Sequence, residues 1–134
     1  MKRGIGLTDE DRIPWLLRIN EAIESVSEPN VFISCSALKK SYREILALGQ
    51  NRVSFIYLKC SKDQLKQRLD QRKNHFFNAA LLEDQLSVLE EPDLSENCLT
   101  VLCGHKTKMQ IIDFIVANFC LTNIKHSTST LLSD

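Results

Sequence analysis

Two clusters of basic residues carry the chemistry this sequence can offer. The first is "CSALKKSYR" (35–43), directly after the apolar run "VFIS". Lys39, Lys40 and Arg43 fall where a strand ends and a helix begins. A helix N-terminus already carries partial positive charge, and each cation added there costs a few tenths to ~1 kcal/mol unless an anion compensates. The corner therefore asks for a negative group. The second cluster is Arg68 and Arg72, spaced to share one helix face, with Lys73 and His75 following. Two guanidinium forks can grip phosphoryl oxygens bidentately. The adjacent "HFF" either folds into a core or closes over a ligand as a lid. Both clusters also have plainer readings. The first reads as a solvated helix face with snorkelling lysines, and the second as favourable cations at a helix C-terminus. Arg12, inside the acidic stretch Asp9–Glu10–Asp11, reads as a surface ion pair of little worth. Trp15 reads as a core anchor.

Composition narrows the field. The chain has 134 residues, about one domain, and 43% of them are hydrophobic, enough for a core. Lys+Arg and Asp+Glu are 17 each, so no global field draws the chain to nucleic acid or membrane, and any anion site is local. The five cysteines show no CxxC or Cys/His metal spacing. They read as reduced core residues of a cytoplasmic protein, with no metal site expected. The N-terminus has no signal-like apolar core, and "IIDFIVANFCL" is too short and too polar to span a bilayer. No Ser-His-Asp pattern, HExxH motif or carboxylate pair stands out.

The elements that position these residues alternate. Thr8 to Asp11 has capping-box spacing, and Leu16, Ile19, Ile23 and Val26 form a helical stripe. Pro14 places the start of that helix near itself, and "SEPN" ends it. "VFISCS" (31–36) reads as a buried parallel strand. A helix over 39–48 follows, with Gly49 as its cap. "VSFIYLK" (53–59) is the next strand, and Ser61 with Gln64 forms a second capping box. Leu65 and Leu69 continue that helix, and Leu82, Leu86 and Leu89 mark another. "CLTVLC" (98–103) is a third strand, "GHK" a turn, and Ile111 to Phe119 a last helix. This order predicts an α/β fold with a parallel sheet. Ligands in such sheets bind beyond the carboxyl ends of the strands, at 36–43, at Ser61 and at 104–106. The domain is expected over 1–121, with a lid near 72–78 and a disordered polar tail over 122–134.

Five strings then occur together and in order: "LTDEDRIPWL", "CSALKKSYRE", "SFIYLK", "RLDQRKNHFF" and "LLEDQLSVLEEP". Over Gly4 to about Phe119 the chain resembles the gluconokinases, small ATP-dependent kinases of D-gluconate. The resemblance implies a three-layer P-loop kinase fold of the nucleotide and shikimate kinase type. It implies transfer of the γ-phosphoryl of ATP, with Mg2+, to the 6-hydroxyl of gluconate. Lys39, Lys40 and Arg43 would then line the acceptor pocket. Arg12 would meet the gluconate carboxylate, by analogy with shikimate kinase. Arg68 and Arg72 match the arginines at the root of the lid, and Lys73, His75, Phe76 and Phe77 match the lid itself, with His75 assigned to substrate. The adenine contact falls near Gly104 to Lys106. A cytoplasmic homodimer is the family's usual state.

One family hallmark does not occur in these 134 residues: neither GxxxxGKS nor GxxxxGKT is present. By the resemblance, the first two strands and the P-loop are missing from the front. An alternative start, a splice product or an incomplete gene model is expected. The lost first strand would lie between the strands at 31–36 and 53–59, leaving backbone groups unpaired on both. The lone chain is therefore expected to be unstable, to aggregate through bare edges or to borrow a strand. It is also expected to be nearly inactive. The alternative is a non-catalytic module that binds gluconate or nucleotide.

Overall fold

The computed structural model describes residues 7–50, 52–71 and 79–119. Described residues within Met1–Val53 and Leu89–Glu91 form one compact unit, and those within Ser54–Val88 and Pro92–Asp134 form another. The expected lid (72–78) and tail (122–134) lie outside the described residues.

The first unit is two helices, α1 (Asp9–Ser25) and α2 (Lys40–Leu46), packed on each other. The capping box at Thr8 forms as its spacing predicts. The Asp11 N–H donates to Thr8 Oγ1 at 3.2 Å, and the Thr8 N–H donates to Asp11 Oδ2 at 3.1 Å. That box starts the helix at Asp9, so Pro14 sits inside α1 rather than at its start. Proline's missing N–H removes only one bond, close to an end whose turn the box already holds. Leu16 and Ile19 of the stripe are buried. Trp15, at the edge of that stripe, is 41% exposed, so it is not the anchor its size suggested.

The C-terminal end of each helix in this unit is finished by a side chain from elsewhere in the unit. Buried Asn20 of α1 donates through Nδ2 to the carbonyls of Leu46 (3.0 Å) and Leu48 (2.9 Å), at the end of α2. Arg52 donates to the Ile23 and Val26 carbonyls, at 3.4 and 3.0 Å, at the end of α1. The last carbonyls of a helix have no partner within it, so these bonds tie the two helices together where each would otherwise fray. Gly49, at φ +73°, turns the chain just beyond α2.

The second unit is built on β1 (Phe55–Lys59) and β2 (Cys98–Leu102), which pair in parallel from Phe55↔Cys98 to Lys59↔Leu102. Helices α3 (Lys62–Gln71) and α4 (Ala79–Val88) lie between them in sequence, and α5 (Lys108–Phe119) follows and packs on β2. The Ser61–Gln64 capping box forms. So does one at Thr107–Gln110, just after the turn expected at 104–106. Among the described residues of this unit, Leu82, Val101 and Cys103 are buried.

The strand expected at 31–36 does not form. These residues are described without strand pairing, and Val31, Phe32 and Ile33 are 50%, 57% and 45% exposed. β-branched, apolar composition favours a strand only when a neighbour receives its backbone groups. No described segment pairs with this one.

Candidate functional site

The basic corner lies in the first unit, and its backbone is unusual. Ala37 has φ +36°, a left-handed value that a side chain makes costly. Four hydrogen bonds hold the corner there. Buried Arg43 donates through Nη1 to the Ala37 carbonyl at 2.9 Å and to the Leu38 carbonyl at 3.3 Å. The Glu90 N–H donates to the Leu38 carbonyl at 2.8 Å, and the Lys40 N–H donates to Glu90 Oε2 at 2.7 Å. Replacing Ala37 by glycine removes the Cβ clash of ~1–2 kcal/mol but raises the freedom of the unfolded chain. Ala37→Gly is therefore expected to stabilise by roughly 0.5 kcal/mol or more, read as a higher urea midpoint. A lower midpoint would mean that the strain is already relieved.

Three other residues meet at Tyr42. Lys39 Nζ lies 2.6 and 2.9 Å from the two Asp9 carboxylate oxygens, and the Tyr42 hydroxyl also donates to Asp9. Lys39 Nζ is 5.7 Å from the Tyr42 ring centre and the Arg12 guanidinium 5.8 Å. Both are within cation–π range. Arg12 Nε also donates to the Leu7 carbonyl at 3.4 Å. The negative groups at this corner are thus the chain's own: Asp9 faces Lys39, and Glu90 caps α2. Asp9, Tyr42 and Glu90 were missed as site residues in the sequence. Asp9 is 30 residues from Lys39 and Glu90 is 50 from Lys40, too far for any local spacing rule.

The electrostatics follow from these contacts. The Lys39 and Tyr42 hydrogen bonds hold the Asp9 carboxyl below its ordinary range. Asp9 in turn raises Lys39. Burial, and then Asp9, push the Tyr42 phenol up. A depressed Asp9 stabilises above the ordinary carboxylate pKa of about 4, and that contribution is lost as pH falls through the lower folded value. Raised Lys39 and Tyr42 contribute below about pH 10 and lose that contribution as pH climbs through their folded values. Asp9→Asn is expected to differ from the parent by a constant shift in melting temperature between about pH 5 and 9. The difference should close below about pH 4. A difference unchanged at acid pH would show that Asp9 acts without its charge.

The remaining candidate residues divide. Lys40 opens α2. Arg68 lies in the last turn of α3 in the second unit, close enough to Cys103 to act on its thiol. Arg72, Lys73 and His75 fall outside the described residues, so the proposed phosphate clamp is described only at Arg68. Gly104 turns the chain at φ +41°, and Lys106 Nζ donates to the Leu102 carbonyl at 2.7 Å. Among the described residues no group of three His, Cys, Asp or Glu could hold a metal ion. No helix among them is long and apolar enough to cross a membrane.

Comparison with known proteins gives the family. The chain is 44% identical over 98 residues to the thermosensitive gluconokinase of Escherichia coli K12, a match covering 72% of this chain and 52% of that protein. It is 36% identical over 121 residues to the gluconokinase of Gluconobacter oxydans 621H, covering 89% of this chain and 67% of that one. The chain belongs to the gluconokinase family. Its fold is the α/β fold of these kinases: a solved gluconokinase from Sinorhizobium meliloti 1021 superposes with a TM-score of 0.76 at 36% identity, over 90% of this chain and 67% of that one. No family model matches the sequence. Against three curated relatives, this gluconokinase-family chain spans 52–59% of their length. The relatives are named as kinases, so the family is one of phosphotransferases.

Proposed function

We propose that the chain acts in the ATP-dependent phosphorylation of D-gluconate to 6-phospho-D-gluconate, within cytoplasmic gluconate catabolism. The observation that carries this is its 36% identity to a gluconokinase across two thirds of that protein. In this reading Arg12 and Lys39, converging on Tyr42, receive the gluconate carboxylate, with Lys40, Arg43 and His75 completing the acceptor side. Arg68, Arg72 and Lys73 serve the ATP phosphates at the lid. Asp9 keeps Lys39 oriented until the substrate arrives. A homodimer is the expected assembly.

In this reading ATP has Arg68, Arg72 and Lys73 for its phosphates, but ATP with magnesium lacks its main cradle. The 134 residues contain no GxxxxGK[ST] loop, and the described residues offer no cluster for a metal. No transfer step is therefore assigned to this chain by itself. For the chain on its own, the basic corner without a P-loop favours binding over turnover, and a gluconate titration by calorimetry addresses that second reading.

The family reading is tested by joining the chain to the upstream segment of the E. coli relative that lies outside the match. The chimera, folded by circular dichroism, is expected to make 6-phosphogluconate from gluconate and ATP. Arg12→Ala in it should raise the KM for gluconate about tenfold or more, as loss of a charge-assisted bond of ~1.5–3 kcal/mol requires. A folded chimera that ignores gluconate would refute the reading.

A further inference from the structure

At the carboxyl ends of the two strands, the register brings two cysteines level. Lys59 pairs with Leu102, and Cys60 and Cys103 are the next residue on each chain segment. The Cys103 N–H donates to the Lys59 carbonyl at 2.9 Å, so the parallel ladder runs one step past the strand ends. Neighbouring strands lie ~4.8 Å apart, and residues in register project from the same face. That spacing falls inside the ~4.4–6.8 Å Cα separation a disulfide spans. Cys103 Sγ donates to the Val101 carbonyl at 3.6 Å, and neither cysteine is in a disulfide. Cys98 pairs with Phe55 at the other end of β2, about 16 Å away at ~3.3 Å per residue.

We propose that Cys60 and Cys103 are a redox pair that a hydroperoxide closes to a disulfide, tying the end of β1 to the end of β2. Cys60 is half-buried and Cys103 fully buried, so the peroxide meets Cys60 first. The Cys60 thiolate attacks a peroxide oxygen. An S–O bond forms, the O–O bond breaks, and the departing hydroxide takes up the Cys60 proton as water, leaving a sulfenic acid. Cys103 sulfur then attacks the Cys60 sulfur. The S–S bond forms, the S–O bond breaks, and hydroxide leaves as water with the Cys103 proton. Two thiols and one hydrogen peroxide become one disulfide and two waters. Burial, and Cys60 beside it, hold the Cys103 thiol above its ordinary range, against the pull of Arg68 and Lys106. Kept protonated and away from the peroxide, Cys103 is left for the second step, where it reacts as the thiolate as its proton passes to the departing hydroxide. The bridge would fix the residue before Ser61, which caps α3, to the residue before Gly104.

The test is a disulfide map of the full 134-residue chain. The chain is treated with hydrogen peroxide, blocked with N-ethylmaleimide, digested without reduction and read by mass spectrometry. The expected product is a Cys60–Cys103 cross-linked peptide, lighter by two hydrogens than its parts and reopened by dithiothreitol. Cys60→Ser and Cys103→Ser each abolish it. The same treatment in concentrated urea spreads pairing over all five cysteines. Pairing in buffer that matches the urea pattern overturns the proposal. So does Cys60 recovered as a sulfinic acid or bonded to any other cysteine. The unsubstituted chain carries this comparison, so it stands whether or not the variants fold.

Discussion

Mixed with ATP, Mg2+ and gluconate, the 134-residue chain is expected to form 6-phosphogluconate no faster than an enzyme-free blank. Phosphoryl transfer is mostly positioning plus electrostatic stabilisation of the transferring group. A P-loop supplies several backbone donors, a lysine and a magnesium-binding hydroxyl at once. Losing one preorganised donor of that kind costs about 10²–10³ in rate. Losing the set exceeds anything a coupled assay can follow. The basic residues that remain do not compensate: Arg43 is buried against carbonyls and Lys39 is paired with Asp9. A preparation from bacteria can carry the host's own gluconokinase, so the control is the Arg12→Ala chain prepared in parallel. Turnover that the parent shows and the variant loses would prove transfer without a P-loop and end this reading.

Arg43→Ala is expected to destabilise the first unit by about 2–4 kcal/mol. Arg43 is 4% exposed, so truncation empties a buried volume as well as removing donors. The Leu38 carbonyl keeps the Glu90 N–H, but the bond from Arg43 to the Ala37 carbonyl goes. A part-buried carbonyl left without its protein partner costs toward the low end of ~1–3 kcal/mol. Lost packing of the stem adds to it. The left-handed Ala37 then loses a contact that holds it. Set against a domain stability of ~5–15 kcal/mol, this is a large fraction. Trp15, the only tryptophan, sits in α1 and reports the urea transition of that unit by fluorescence. Arg43→Met keeps most of the stem and should lose about half as much. Equal midpoints for parent and Arg43→Ala would leave Arg43 as a ligand-facing residue and nothing more.

How far the sequence could be read depended on the range of the interaction. Thr8–Asp11 and Ser61–Gln64 were legible because a capping box spans one turn and needs no tertiary partner. The parallel strands were legible as elements at 53–59 and 98–103, with β1 and β2 shorter by a residue or two. The failure at 31–36 has a single cause: composition states what a strand would accept, and pairing decides whether it exists. Asp9 and Glu90 show the same limit in the site. Lys39, Lys40 and Arg43 were visible as a charge problem, but the sequence could not say that the nearest anions belong to the chain. Arg43 is placed in the acceptor pocket by the family resemblance, and only burial shows that it also braces the corner. Recognition of the family came from five strings taken together, and no spacing argument would have reached gluconate.

The pairing of β1 with β2 has a consequence for synthesis. A chain emerging from a ribosome at ~5–20 residues per second exposes Phe55–Lys59 seconds before Cys98–Leu102 appears. During that interval β1 has no partner strand in its sheet, while α1 and α2 need far less chain to meet. The first unit also waits for Glu90, whose carboxylate and N–H complete its corner. Folding of both units is therefore gated by the same late stretch of translation. A stall before residue 90 would leave an apolar strand and an unfinished corner exposed together, making the speed of elongation through the middle of the message a determinant of yield.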